Sequence, residues 1–318
     1  MEKFKLSVIV AVYNVENYIV DCLQSFFDAK PNPDTIQLVI VNDGSTDNSR
    51  QLINHFEQYN NVVIIDKPNG GLSSARNAGL DFVLGNTEYV SFLDADDLLS
   101  VEYFNEFYHV EELFKPDIIE FNANYFSNWR TVKFDVSLGT GNLTRFNEVL
   151  FNEIVTKGMW FAWSRIYKSS LFEEFRFPNG RRYEDMILIP TLYANSKSIY
   201  SSDKVLYLYR DNDQGITRNG KLSDIEDVLF AVQVFSRLDL SPSLNAKFKS
   251  NASNVILAIL GSMPYNIEHW PCLKKVADDF KISLTFMYFK YIRFRLLSPI
   301  KSIIKDIYRI NLKIRENS

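Results

Sequence analysis

Cysteine is nearly missing from this chain: Cys22 and Cys272 are the two in 318 residues. They lie far apart and form no Cys-x-x-Cys or Cys/His cluster, which argues against a structural zinc site and predicts a reducing compartment. The three histidines, His55, His109 and His269, are scattered and read as solvated or structural. An excess of basic charge is also lacking. The chain carries 35 Lys and Arg against 39 Asp and Glu, a net charge of -4, and a pI near 5.6; no nucleic-acid partner is expected from such a balance. Long hydrophobic runs are missing too. Residues 1–6 carry charges where a secretory leader needs an apolar core, and the apolar run at 6–13 is too short to span a bilayer, so a cytoplasmic protein is predicted. Finally, no glycine-rich basic phosphate loop follows the first apolar run. Ala11-Val12-Tyr13-Asn14 stands there instead, which disfavours an enzyme that makes sugar nucleotides.

What is present is a globular chain with 46% hydrophobic and 23% charged residues, enough to bury a substantial core. Over the first hundred residues one pattern repeats: a short β-branched run, a polar loop, then an amphipathic helix. The runs are residues 6–13, 37–42, 62–66 and 89–93, and helices are expected at 15–27, 47–59, 73–84 and 101–114. Such alternation predicts an α/β fold with a mostly parallel sheet flanked by helices, and ligands bind such sheets where strands end and helices begin.

The loops at those ends hold the unusual residues. After the second run, Asn42-Asp43-Gly44-Ser45-Thr46-Asp47 places a carboxylate at the strand end, suited to a ribose or a uracil N–H, or simply to a tight turn. After the third, Asn69-Gly70-Gly71-Leu72-Ser73-Ser74-Ala75-Arg76-Asn77 joins backbone freedom to a helix start and a cation, a combination suited to anions; Arg76 could equally pair with an acid. The fourth run ends in Asp94-Ala95-Asp96-Asp97. Three carboxylates in four residues beside a buried strand favour a hard cation such as Mn²⁺ or Mg²⁺; helix capping by Asp97 is the plain alternative.

In this order the motifs resemble the inverting glycosyltransferases of family 2, which have the Rossmann-like GT-A fold. Ala11-Val12-Tyr13-Asn14-Val15-Glu16-Asn17-Tyr18 resembles the family's opening motif, although Ala11 stands where proline is frequent. Asp43 to Asp47, Gly70 to Gly79 and Asp94-Ala95-Asp96-Asp97, the last as the DxD motif, resemble the next three. The resemblance is dense over residues 5–100 and weaker to about residue 217. It implies that Ala11, Tyr13, Glu16, Asp43, Gly71, Arg76, Asp94, Ala95 and Asp96 bind a UDP-sugar. Within that set Asp43 and Arg76 would contact the nucleobase, and Asp94 and Asp96 would hold the ribose and a metal-bound diphosphate, with Asp96 as the metal ligand.

Inverting transfer needs a base at the acceptor hydroxyl. In Arg181-Arg182-Tyr183-Glu184-Asp185-Met186 the pair Glu184-Asp185 looks like the family's Glu-Asp motif, with Asp185 as the base and Glu184 on the acceptor side; helix capping is the alternative. Trp163, within Trp160-Phe161-Ala162-Trp163-Ser164-Arg165, is expected to stack on an acceptor sugar, with core packing as the competing reading for both tryptophans. Arg210 or Arg218 is expected at the diphosphate.

The implied activity is sugar transfer to a glycan or lipid-linked acceptor in synthesis of a bacterial surface polysaccharide. The alternatives are a non-catalytic sugar-binding or scaffold protein on the same fold, or a different nucleotide-sugar. Residues 1–220 would form the catalytic domain, with 1–100 on the donor side and 101–220 on the acceptor side, and residues 221–318 a helical extension. From residue 290 the extension carries Lys290, Arg293, Arg295, Lys301, Lys305, Arg309, Lys313 and Arg315 beside isoleucines at helical spacing. That stripe predicts contact with the inner membrane surface without crossing it, with packing on the catalytic domain as the alternative.

Overall fold

The computed structural model describes residues 4–127, 130–212, 220–263, 269–280, 283, 285 and 287–293. In chain order these form β1 (Phe4–Val12), α1 (Ile19–Asp28), β2 (Ile36–Asn42), α2 (Ser49–Ile53), β3 (Val62–Asp66), α3 (Leu72–Val83), β4 (Thr87–Asp94) and β5 (Leu98–Leu99). There follow α4 (Tyr103–Phe114), β6 (Ile118–Ser127), β7 (Arg130–Phe134), β8 (Asn142–Arg145), α5 (Glu148–Lys157), β9 (Arg165–Lys168), α6 (Leu171–Glu174) and α7 (Glu184–Ala194). The last are β10 (Ser198–Arg210), α8 (Ser223–Phe235), α9 (Pro242–Ser262) and α10 (His269–Phe280).

The first four long strands lie in the order β3-β2-β1-β4 and pair in parallel, as their alternation with helices predicts. Every residue of β2 is buried, and its one long polar side chain, Gln37, accepts a hydrogen bond from Ser7 on β1. Register aligns the strand ends: Ala11 lies opposite Asp94, Val12 opposite Asn42, and Asn42 opposite Asp66. All the loops carrying the polar motifs therefore open at one edge.

Beyond β4 the sheet is mixed. Antiparallel β9 separates β4 from β6, and β10 runs parallel to β6 and antiparallel to β5 and β8. Two helix boundaries differ from the expected ones by more than two residues. α1 begins at Ile19, since Asn14 adopts a left-handed φ of 53° and the chain to Tyr18 forms a turn. The helix expected over 47–59 shortens to α2 and one 3-10 turn at Asn54–Phe56, ahead of the helix-poor pair Asn60-Asn61.

One apolar core lies between the sheet and α1 and α4, with Phe26, Phe104 and Phe107 at its centre. The other covers the opposite face, where α3 lies so close to β1 that a Cβ on Gly79 would stand 2.5 Å from Ile9 Cγ2. This second core runs without a break from Ile9 through α7 to α8, α9 and α10, with Phe235 stacked on Phe248 at 4.0 Å. The helices after residue 220 thus share the core of the preceding domain. Among the described residues no helix is long and apolar enough to cross a membrane. The basic stripe expected over 290–318 lies, from residue 294 on, outside the described residues.

Candidate active site

The loops after β1 and β2 are tied to each other reciprocally. Asn14 Oδ1 accepts the Thr46 N–H at 2.8 Å, and Glu16 Oε2 accepts the Asn48 N–H at 2.9 Å. In return Asp47 accepts from the Glu16 N–H at 3.0 Å, and also from Ser49 N–H at the start of α2. Ala11 is half-buried at the end of β1, and Tyr13 beyond it is 47% exposed. Asp43 is buried, and both its oxygens are engaged: the Gly70 and Gly71 N–H groups donate at 3.0 and 2.7 Å, and Lys67 forms an ion pair. The carboxylate expected to meet a nucleobase therefore fixes the glycine loop at the start of α3. Gly71 at φ 85° and Gly44 at φ 71° supply the turns; a Cβ on Gly44 would meet Asn69 N at 2.8 Å.

The 94–97 segment is gripped by the end of β10. The Tyr207 hydroxyl donates to Asp97 Oδ2 at 2.9 Å and accepts the Asp94 N–H at 3.1 Å, while the Arg210 N–H donates to Asp97 Oδ1 at 2.7 Å. Asp97 is buried and ties the loop to β10, where a helix cap was the plain alternative; burial and the charges of Asp96 and Asp94 push its carboxyl well above the usual range. Ala95 is buried between them. Asp96 is half-buried, accepts from Asn212 Nδ2 at 2.9 Å, and is likewise pushed up, chiefly by burial. Arg210 Nε donates to the Asp96 carbonyl at 2.6 Å, and its guanidinium lies over the Tyr18 and Phe126 rings. Arg218 lies outside the described residues.

No group of three or more His, Cys, Asp or Glu side chains that would cage a metal ion occurs among the described residues. A cation bridging a diphosphate needs less, since one or two carboxylates suffice when phosphates and water complete the shell. Asp96 fits that role: its carboxylate is held by an amide, is crowded by the charge of Asp94, and is made costly to ionise by burial, which a cation would relieve.

Arg76 joins the two halves of the site. Its buried guanidinium donates from one terminal nitrogen to Glu184 Oε1 at 3.0 Å and Asp185 Oδ1 at 2.8 Å, and from the other to Asp94 Oδ1 at 2.9 Å. The Phe92 and Phe177 rings flank it. Arg76, expected at the nucleobase, is here directed to three carboxylates that converge on it from β4 and α7. The Asp94, Asp185 and Glu184 side chains remain 28%, 19% and 12% exposed, so the cluster reaches solvent. Glu184 and Asp185 start α7 directly after Tyr183, which holds a left-handed φ of 59°. Asp185 Oδ2 also accepts the Ala162 N–H at 2.8 Å. Burial raises the Asp185 carboxyl against the lowering pull of Arg76; burial and the Asp185 charge push Glu184 up to about 7.

The sugar platform expected of Trp163 is closed. Its ring is 2% exposed and stacks on Tyr207 at 4.3 Å and on Phe161 at 5.1 Å, inside the core beneath β10. Trp160 is buried in the other core against Phe248. Sequence patterning points to neither Lys67 nor Asn212, whose contacts arise across loops that folding brings together; the position of Lys67 directly after β3 is its sole local signal.

Residues 7–136 match the family model described as glycosyl transferase family 2. Glycosyltransferase GlyA of Streptococcus pneumoniae is 34% identical over 223 residues, 67% of this chain and 32% of GlyA, so the chain spans about a third of that relative's length. Among solved structures, S. aureus TarS 1-349 superposes with a TM-score of 0.71 at 21% identity, covering 92% of this chain and 89% of TarS 1-349; the same fragment solved with UDP-GlcNAc gives 0.68. These are likenesses of fold. Glycosyltransferase GlyG of Streptococcus pneumoniae is 30% identical over 246 residues, 73% of this chain and 78% of GlyG. On that match and on the ordered loops of its parallel sheet, this chain belongs to glycosyl transferase family 2.

Proposed function

We propose that this protein is an inverting glycosyltransferase that moves a sugar from a UDP-sugar to a hydroxyl of a glycan or lipid-linked acceptor, in synthesis of a cell-surface polysaccharide. The observation that carries the reading is the convergence of Asp94, from the donor-side strand, and Asp185, from α7, on the single guanidinium of Arg76. Donor-binding and base carboxylates then share one cation.

In this reading Asp185 takes the proton from the acceptor hydroxyl as that oxygen attacks the anomeric carbon opposite the leaving diphosphate. Burial raises its carboxyl, which strengthens it as a base, while Arg76 pulls the other way and favours the charged form. The Ala162 N–H fixes one carboxylate oxygen and Arg76 the other. Asp43 shapes the nucleotide pocket through Gly70, Gly71 and Lys67. Asp96, with Asp94 beside it, would hold Mn²⁺ or Mg²⁺, which when bound offsets charge on the departing diphosphate. The fold shared with TarS, which has been solved with UDP-GlcNAc, supports UDP as the nucleotide. Residues 290–318 would dock on the anionic inner face of the membrane, near a lipid-linked acceptor; vesicle flotation that is the same with and without them rejects that contact.

UDP release from a panel of UDP-sugars with Mn²⁺ tests the function. Release from one sugar, lost in Asp185→Asn while calorimetric UDP binding persists, is the expected outcome. Silence across the panel with no UDP binding overturns the donor; sugar binding without UDP release makes the protein a non-catalytic binder.

A further inference from the structure

Arg165, the first residue of β9, is fully buried, and its guanidinium is committed on every side. One terminal nitrogen donates to the Phe161 carbonyl at 2.7 Å and to Ser164 Oγ at 2.6 Å, and the other to the Met159 carbonyl at 2.7 Å. Nε donates to the Tyr193 hydroxyl at 2.6 Å. That hydroxyl in turn donates to Glu120 Oε2 at 2.6 Å, and Glu120 Oε1 accepts from Ser201 Oγ at 2.7 Å and the Leu138 N–H at 2.8 Å. The buried positive and negative charges are thereby bridged through one phenol.

The residue held between these contacts is Ala162, whose N–H reaches Asp185 Oδ2. Asp185 and Tyr193 stand at opposite ends of α7. The turn over residues 159–165 thus grips that helix at two points: Ala162 N–H at the carboxylate and Arg165 at the phenol.

We propose that Arg165 is a positioning residue for the base. By clamping the Met159 and Phe161 carbonyls it aims the Ala162 N–H at Asp185, which orients the carboxylate and favours its ionised form. The inference rests on the role of Asp185 proposed above. A planar fork is needed, since three carbonyl and phenol acceptors in different directions exceed what a lysine ammonium on the same stem can satisfy in register.

The test is Arg165→Lys in the full chain, with kcat for UDP-sugar turnover measured across pH and UDP affinity measured separately. The expected result is a fall in kcat of about tenfold or more, unchanged UDP affinity, and an acid limb of the kcat profile displaced to higher pH, because the carboxylate loses a donor that stabilises its charge. Tyr193→Phe keeps the carbonyl clamps but removes the bridge; it shows the same displacement in smaller measure and decides the matter if Arg165→Lys does not fold. A wild-type kcat and acid limb in the folded variant overturn the inference, as does a kcat reduced only in proportion to the folded fraction. Asp185→Asn separates the two levels. Full turnover in that variant removes the base assignment itself, whereas its loss beside an unaltered Arg165→Lys overturns this inference alone.

Discussion

Replacing Glu184 by glutamine probes the electrostatics of the site directly. The Glu184 carboxyl lies 3.0 Å from an Arg76 guanidinium that already serves Asp94 and Asp185, so one cation faces three acids. Burial first, and the Asp185 charge second, push Glu184 from its ordinary 4.5 up to about 7. The folded protein therefore binds this proton more tightly than the unfolded chain does. Its contribution to stability is complete below about pH 4.5 and is lost as pH rises through about 7. At about 1.4 kcal/mol per pH unit, the interval corresponds to roughly 3 kcal/mol. With an unfolding entropy of about 2 cal/mol/K for each of 318 residues, that is a Tm change of about 5 °C. The amide of Glu184→Gln cannot ionise. Asp96 and Asp97, also raised, titrate in both proteins and largely cancel in the comparison, whereas Asp185, relieved of its charged neighbour, ionises more easily in the variant and widens the difference in the same direction. Scanning calorimetry at fixed ionic strength from pH 5 to pH 8 should show wild-type Tm falling relative to the variant by about 4 °C, the part of that change that lies above pH 5. Parallel curves across that range would refute the crowding of three carboxylates around Arg76.

Arg76→Met leaves Asp94, Glu184 and Asp185 without their shared cation, and should cost roughly 3–5 kcal/mol at pH 8 in denaturant unfolding, and less at pH 5, where protonation relieves the charge; equal losses at the two pH values would contradict this. Gly79→Ala would place a Cβ 2.5 Å from Ile9 Cγ2, so α3 must shift from β1 at a cost of roughly 1–3 kcal/mol. An unchanged unfolding midpoint would show that the contact yields freely.

Local chemistry determined much of this protein by sequence alone. Alternating β-branched runs and amphipathic helices specify the parallel strands β1 to β4: β1, β2 and β4 are apolar enough to be covered on both faces, while β3 stays half-buried at the sheet edge. The acids and glycines between them were bound to gather at one edge, since parallel strands place all such loops on the same side. The mixed half of the sheet was not legible: β6, β9 and β10 pair across long separations, and pairing direction leaves no local pattern. The same holds for the side-chain partners. Asp43 meets Gly71 across 28 positions and Arg76 meets Asp185 across 109, so whether either side chain is free for a ligand depends on neighbours that its own segment does not encode. Trp163 and Arg165 show this most plainly. In sequence Trp163 suits a sugar or a core equally well and nothing local assigns a partner to Arg165; burial beneath β10 and the carbonyls of Met159 and Phe161 made one core and the other a clamp on its own turn. Secondary structure follows from periodicity within a segment, whereas burial and pairing follow from which segments meet, and only the folded chain decides that.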